Sequence, residues 1–297
     1  MKKVLFIINK FSGAGFRESL EGRIIDYCAR QGWECTLEFT RQRGHAVELA
    51  QQGVAEQVSL VVATGGDGTV NEVARGMVNT HIPMAILPKG SGNGLARHLG
   101  LPVSFQQALQ QLHLLQPRAI DTMQVNGHLS INVSGIGFDG HIANLFGNDG
   151  RRGLANYTRL TLREFVRFQE FESEITLVDC VIQSRQFLIA LANSSQFGNN
   201  ARIAPLASVC DQQFDLSLVK KVPLHHALGF ARNMFAGRLD RSRFVTLHKA
   251  TKATIRLQRP MAFHVDGEPL PAASQFEVQV NPLSLLVCVP KDLRKKI

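Results

Sequence analysis

The sequence predicts a two-domain α/β protein, an N-terminal layered α/β domain on a parallel sheet followed by an antiparallel β-rich domain. Three observations predict it. Short continuous apolar runs alternate with helical periodicity over about the first 120 residues, the mark of strands buried on both faces and joined by helices. Beyond that point the hydrophobic period changes to two, as in antiparallel strands with one wet face. The chain is 297 residues long, which suits two domains at roughly 150 residues each.

Taken in order, the apolar run 4–8 reads as a first strand. Phe16, Leu20, Ile24, Tyr27 and Cys28 then follow at helical spacing, with Gly32 as a stop. The pattern recurs with a strand at 35–39, a polar helix from His45, a strand at 60–63 and a helix carrying Val70, Val73, Ala74, Met77 and Val78 before a strand at 84–87. In the second half Leu129, Ile131 and Val133 alternate with polar or small residues, as do Ala253, Ile255 and Leu257, and Phe276, Val278 and Val280. Asn126-Gly127 is a hairpin turn signal. It places the domain boundary near Thr122, giving domains over 1–122 and 123–288 and a basic tail over 289–297 that either folds back or frays. Helical insertions are expected at about 151–171 and 223–236.

Composition excludes several classes. With 44% hydrophobic and 19% charged residues, Gly 25, Pro 11 and no Gly-X-Y period, disordered, collagen-like and coiled-coil readings fail. Thirty-three Lys and Arg against 24 Asp and Glu give a net charge of +9, which favours an anionic partner. The five cysteines are scattered without a C-x-x-C pair, so the chain reads as reduced and cytoplasmic. Met1-Lys2-Lys3 with the following apolar run imitates a signal peptide, but the run is short and ends at Asn9-Lys10. No apolar run reaches the ~18 residues that span a bilayer, so membrane contact is expected to be peripheral.

The sharpest motif is Thr64-Gly65-Gly66-Asp67-Gly68-Thr69-Val70-Asn71-Glu72, between a buried strand and a helix. Glycines let backbone approach a phosphate, and a helix N-terminus offers N–H groups to an anion. An Asp-Gly turn is the plain alternative, but it belongs between hairpin strands. Asp67 is too negative to touch phosphate, so it either orders the loop or holds water on Mg²⁺. Another glycine loop, Pro88-Lys89-Gly90-Ser91-Gly92-Asn93-Gly94, follows the next strand, and residues 9–15 provide one more. Loops at the carboxyl ends of adjacent parallel strands are where open α/β sheets bind ligands. Walker and full Rossmann fingerprints are absent.

The combination of Gly65-Gly66-Asp67-Gly68-Thr69 with Asn71-Glu72, the 88–93 loop, and Asp266-Gly267-Glu268-Pro269 resembles the diacylglycerol kinase and sphingosine kinase catalytic family. It is most similar to stand-alone bacterial lipid kinases. The resemblance implies an NAD-kinase-like nucleotide domain, a β-rich lipid domain and an active site in the interdomain cleft. It also implies γ-phosphoryl transfer from ATP to a lipid hydroxyl, with Mg²⁺. By the same resemblance Asn9, Ser12, Gly13 and Gly15 form a phosphate-side segment, and Thr40 is a nucleotide contact. Gly65, Gly66, Asp67, Gly68, Thr69, Asn71 and Glu72 make the nucleotide loop, and Gly90, Ser91 and Asn93 the next one. Asp211 matches a structural Mg²⁺ ligand with Ser208 and Gln213 beside it, and Glu268 matches the proton acceptor. Lys10, Gly94 and Gln212 depart from the family pattern, the last putting the second metal site in doubt.

On the residues alone, Asp266-Gly267 is also a hairpin signal, and the two readings coexist because a tight turn projects a carboxylate rigidly. Asp266 is the alternative base. Tyr157, Leu160, Phe165, Phe168 and Phe171 fall on one arc beside Arg152, Arg159, Arg163 and Arg167, so this segment is either a core helix or a helix on an anionic bilayer. Residues 224–235, followed by Arg238, Arg241 and Arg243, pose the same choice. No recognition-helix or RNA-module signature argues for nucleic acid. The ten histidines show no metal spacing and read as structural, and no G-x-S-x-G elbow supports a hydrolase. Two rivals remain: an NAD kinase, whose usual Thr-Gly-Ser-Thr-Ala-Tyr string is missing here, and a nucleotide-binding regulator without turnover. The acceptor lipid and the oligomeric state are not legible.

Overall fold

The computed structural model describes residues 1–13, 18–148 and 154–291; the side chains of 18–19, 147–148 and 154–158 lie outside that description. Of the expected features, Gly15, Phe16, Arg152, the Tyr157 side chain and the tail residues Arg294, Lys295 and Lys296 lie outside the described residues. The chain forms two compact units, one comprising residues 1–120 and the chain from Leu283 onward, the other 121–282.

The first unit runs β1 (Lys2–Ile8), α1 (Glu18–Gln31), β2 (Trp33–Phe39), α2 (His45–Ala55), β3 (Leu60–Gly65), α3 (Asp67–Met77), β4 (Met84–Pro88), α4 (Gly94–His98) and α5 (Phe105–Gln111). Its strands lie in the order β2-β1-β3-β4 and pair in parallel, with Val4 opposite Leu60 and Val62 opposite Ala85. Every residue of β3 and β4 is buried, as continuous apolar runs between helices require. Phe6, Val62 and Leu87 pack against Ile24, Tyr27 and Cys28 of α1. Gly32 ends that helix at φ 66°, a left-handed conformation that glycine adopts without a Cβ penalty.

The second unit opens on β5 (Gln116–Val125), β6 (His128–Ser130) and β7 (Val133–Gly137), then α6 (Phe138–Asn148) and α7 (Leu154–Arg167). It continues through β8 (Phe171–Thr176), β9 (Val181–Gln186), β10 (Leu188–Ala192), β11 (Phe214–Val219), α8 (Leu224–Phe235), β12 (Val245–Ala250), β13 (Lys252–Val265) and β14 (Glu268–Val289). Its sheet follows the order β12-β11-β10-β7-β13-β14, with β5 joining β14 to β6 and β8 joining β13 to β9. The pairs β10–β11, β10–β7, β11–β12 and β13–β14 are antiparallel. Asn126 and Gly127, at φ 49° and 79°, make the turn between β5 and β6, as an Asn-Gly hairpin demands.

Three differences from the sequence reading stand out, and the first two have direct physical causes. Residues 283–288, expected in the second domain, belong to the first unit, because the long last strand ends beside β4 with Val287 opposite Met84 in parallel. The strand expected through Leu129, Ile131 and Val133 is broken, since the backbone N–H groups of Ile131 and Asn132 turn to the carboxylate of Asp266. The helix α6 was not anticipated. Of the two readings open to the arc, the core one holds for its described part: Leu160 and Phe165 of α7, with Phe168 just past its end, face inward with Phe138 and Phe187, whose rings stack at 4.5 Å.

Candidate active site

Three loops at the carboxyl ends of β1, β3 and β4 pack backbone against backbone. A Cβ on Gly90 would stand 2.6 Å from Gly66 Cα, and one on Gly13 would stand 2.2 Å from the Lys89 carbonyl oxygen. A Cβ on Gly65 would meet the Thr69 side chain at 2.5 Å. Only glycine permits these approaches. Side chains then tie the loops together. Asn9 Nδ2 donates to Thr69 Oγ1 at 3.0 Å, Gly66 N donates to Ser12 Oγ at 3.3 Å, and Lys89 N donates to Gly65 O at 2.8 Å.

Asp67 begins α3, and both of its carboxylate oxygens are directed at the third loop. Oδ2 accepts from Asn93 N at 2.8 Å and Oδ1 from Gly94 N at 2.7 Å. Asn93, at φ 52°, closes the loop on itself, accepting from Gly90 N at 3.0 Å and donating to Gly90 O at 2.8 Å. Of the two roles open to Asp67, ordering the loop is the one with visible contacts. Gly66, the N-cap of α3, has no side chain with which to cap the first turn, and among the described residues open space surrounds the exposed Gly68. A helix N-terminus with a glycine at its mouth is a phosphate cradle. Ser91 is exposed on the third loop, Thr40 is half-buried where β2 ends with its N–H 2.9 Å from Ile8 O, and Asn71 is buried on α3.

Glu72 is directed elsewhere: Oε1 and Oε2 accept from Gly44 N at 2.9 Å and Ala46 N at 3.2 Å, anchoring the start of α2. Lys89 follows β4 directly, inside the glycine loop. Its Nζ donates to Ser12 O at 3.1 Å, and burial pulls its pKa below the ordinary lysine value, so a positive charge stands among the loops at a desolvation cost. A lysine directly after a buried strand, inside a glycine loop, was the available signal.

In the second unit, Asp266 and Gly267, at φ 49° and 85°, form a two-residue turn with Val265 opposite Glu268. The hairpin reading is therefore realised, and it places the two carboxylates differently. Asp266 is buried and accepts from Ser130 Oγ at 2.6 Å, Ile131 N at 2.8 Å and Asn132 N at 3.1 Å. Glu268 is half-buried at the start of β14. Beneath the turn His264 Nδ1 accepts from Gly267 N at 3.0 Å, and its Nε2 lies 2.6 Å from Asp139 Oδ2. Gly135 leaves room for that contact, since a Cβ there would fall 2.0 Å from Asp139 Oδ2. No local motif contains this pair, because Asp139 and His264 are 125 positions apart.

Around the expected Mg²⁺ ligands, Asp211 Oδ1 accepts from Gln213 N at 3.2 Å, and Oδ2 is paired with the Lys249 ammonium. Ser208 Oγ accepts from Cys210 N at 3.3 Å. Gln212, where the family pattern has glycine, takes φ 62° and donates its N–H to Asp121 Oδ2 at 2.7 Å. Among the described residues no group of three or more His, Cys, Asp or Glu converges as a metal site. In this arrangement the Lys249 ammonium answers the Asp211 charge.

Residues 3–125 match the diacylglycerol kinase catalytic domain, and residues 132–289 match the YegS C-terminal NAD kinase beta sandwich-like domain. The chain is 27% identical over 267 residues to a "Probable lipid kinase YegS-like" of Pseudomonas syringae pv. syringae (strain B728a), covering 89% of this chain and 86% of that one. It is also 27% identical over 276 residues to the diacylglycerol kinase of Bacillus subtilis (strain 168), covering 90% of each. In fold it resembles a diacylglycerol kinase from Bacillus anthracis str. Sterne, with a TM-score of 0.77, 20% identity and 98% of both chains covered. The chain belongs to the lipid kinase family in which a diacylglycerol kinase catalytic domain is followed by a YegS-type β-rich domain.

Proposed function

We propose that this chain transfers the γ-phosphoryl group of ATP to the hydroxyl of a lipid alcohol, diacylglycerol or a sphingoid-type lipid. The observation that carries the reading is the convergence of the Ser12-Gly13, Gly65-Gly66 and Lys89-Gly90 backbones around the glycine N-cap of α3. Such a cradle binds a polyphosphate through backbone N–H groups, and phosphoryl transfer asks a protein mainly for positioning and charge stabilisation. Asn9, Ser12, Gly13, Gly65, Gly66, Gly68, Thr69, Gly90, Ser91 and Asn93 would form or shape that cradle. Thr40 and Asn71 would border it, and Lys89 would place a positive charge within it. Mg²⁺ bound together with ATP would supply charge neutralisation.

In the transfer the acceptor oxygen forms a bond to the γ-phosphorus, the bond from that phosphorus to the ADP oxygen breaks, and the hydroxyl proton passes to Glu268. Asp266 is the poorer base, because three donors already occupy it. The name of the Bacillus subtilis relative makes diacylglycerol the first acceptor to try. The chain would work at an anionic membrane surface from the cytoplasmic side. None of its five cysteines forms a disulfide, as in a reducing compartment, and no helix among the described residues is long and apolar enough to cross a membrane.

The test is transfer of radiolabelled phosphate from ATP into detergent-dispersed diacylglycerol, sphingoid base and NAD. Label in the organic phase is expected and identifies the acceptor. Label on NAD, or ATP binding without ADP release, would overturn the reading.

A further inference from the structure

The helix α8 (Leu224–Phe235) contains no buried residue, although it carries four large apolar side chains besides Met234. Its two faces are distinct. Phe230 and Met234 lean on the core of the second unit. On a separate side Leu224, Leu228 and Phe235 are 67%, 84% and 54% exposed, and at 100° per residue they fall within about 40° of one another. Leu228 is among the most exposed large apolar residues described.

Charge frames this stripe. Between residues 220 and 243 there are six Lys and Arg side chains and a single acidic one, Asp240. Arg232 and Arg238 are exposed, and Arg243 is held to α8 by a hydrogen bond to His226. Ahead of the helix Lys221 Nζ donates to Val166 O at 3.2 Å and Phe168 O at 2.6 Å, which ties its start to the end of α7. An exposed apolar ridge inside a basic field complements one kind of partner, a bilayer whose headgroups are anionic and whose acyl boundary accepts Leu and Phe.

We infer that α8, through Leu224, Leu228 and Phe235 with Arg232, Arg238 and Arg243, docks the second unit on an anionic phospholipid surface. The inference deepens the lipid kinase reading by assigning its membrane contact to α8, while the aromatic arc of α7 stays in the core. Basic residues near an anionic leaflet each strengthen binding about fivefold, and the apolar ridge converts attraction into insertion.

The experiment is co-sedimentation of the full chain with vesicles of phosphatidylcholine alone and of an equal phosphatidylcholine–phosphatidylglycerol mixture. Wild type is expected to pellet with the mixed vesicles and not with phosphatidylcholine. Leu228→Glu should weaken this at least about tenfold while melting like wild type, because its side chain is free of the core. Val178→Glu changes an equally exposed apolar residue in a turn away from α8 and should bind as wild type. Equal binding by Leu228→Glu, an equal loss in Val178→Glu, or no preference for the mixed vesicles would overturn the inference. So would a wild-type dimer in analytical ultracentrifugation that Leu228→Glu splits, since a second copy would then own the face. Transfer to detergent-dispersed lipid should survive Leu228→Glu. Its absence in both proteins, with vesicle binding intact, would sink the kinase reading and leave the docking face standing.

Discussion

His264 Nε2 meets Asp139 Oδ2 at 2.6 Å with both side chains buried, and the far nitrogen of the same ring receives the N–H of Gly267. One imidazole therefore links the first turn of α6 to the turn that presents Glu268. Burial pulls the ring's pKa down and Asp139 lifts it further up. The Gly267 N–H aimed at Nδ1 requires that nitrogen unprotonated, which decides for the neutral Nε2–H tautomer. His264→Ala should cost about 3 kcal/mol, because it strands a buried carboxylate. Asp139→Asn, which keeps an acceptor for Nε2–H, should cost about 1 kcal/mol. Thermal melts of the two variants check this, and equal losses would show that the pair acts only by filling space.

Asp67 spends its carboxylate on Asn93 N and Gly94 N, so its removal should be felt first in the shape of the third loop. Asp67→Ala is expected to lose about 1–2 kcal/mol of stability, as a lost N–H acceptor does. It should also weaken ATP binding by more than an order of magnitude, since a loose loop binds less well. Asp67→Asn keeps one acceptor and should fall between wild type and Asp67→Ala in both calorimetric measurements. ATP affinity equal to wild type in Asp67→Ala would remove the loop-ordering role.

The first unit was legible because its signals are local. Strands at 4–8, 60–63 and 84–87 are continuous apolar runs, and the glycine loops follow them directly in the chain. Where a side chain's destination depends on a distant element, the sequence was silent. Glu72 lies in the motif yet anchors the start of α2, 28 positions away. Asp266 and Glu268 are two residues apart, and only the path of residues 130–132 tells them apart. The arc of Leu160, Phe165 and Phe168 was correctly periodic, but periodicity does not say whether an apolar face meets protein or lipid.

Burial divides the five cysteines into reactive and inert thiols. Cys28 is pushed up to about 12 and Cys288 to about 11, burial being the main cause in each, whereas Cys180 is exposed. The thiolate is the nucleophile, so a buried thiol with a raised pKa does not react. Titration of the native protein with a chromogenic disulfide at pH 8 should modify Cys180 and leave Cys28 and Cys288 untouched until denaturant is added. Rapid labelling of Cys28 in the native state would contradict its burial.

Asp215 is buried in β11 with Lys249 Nζ 3.8 Å from Oδ2, and burial raises its pKa from 3.8 to about 6. A carboxyl group raised in the folded state holds its proton more tightly there than in the unfolded chain. Stability therefore falls as pH rises from about 4 to about 6, and the penalty is complete at pH 7. Asp215→Asn should raise stability at pH 7 by up to about 3 kcal/mol, with the gain vanishing below pH ~4. Denaturant melts at pH 4 and pH 7 check the sign. A gain of equal size at both values would exclude ionisation as its source.

Glu268 and its neighbour Asp266 make the sharpest separation between chemistry and scaffold. Glu268 is half-buried at the end of a rigid turn, whereas Asp266 is buried under three hydrogen bonds from Ser130, Ile131 and Asn132. Glu268→Gln preserves shape and removes the proton acceptor. It should lower turnover about 10²–10⁴-fold with melting temperature and ATP affinity unchanged. Asp266→Ala leaves buried donors unsatisfied and should cost about 3 kcal/mol, lowering the melting temperature before any kinetic effect is read. Steady-state kinetics, ATP titration and thermal melts on the two variants decide the matter together. If Glu268→Gln turns over like wild type while the fold-corrected Asp266→Asn does not, the base is Asp266 and its hydrogen bonds tune it. If both retain wild-type turnover, the acceptor proton leaves without either carboxylate.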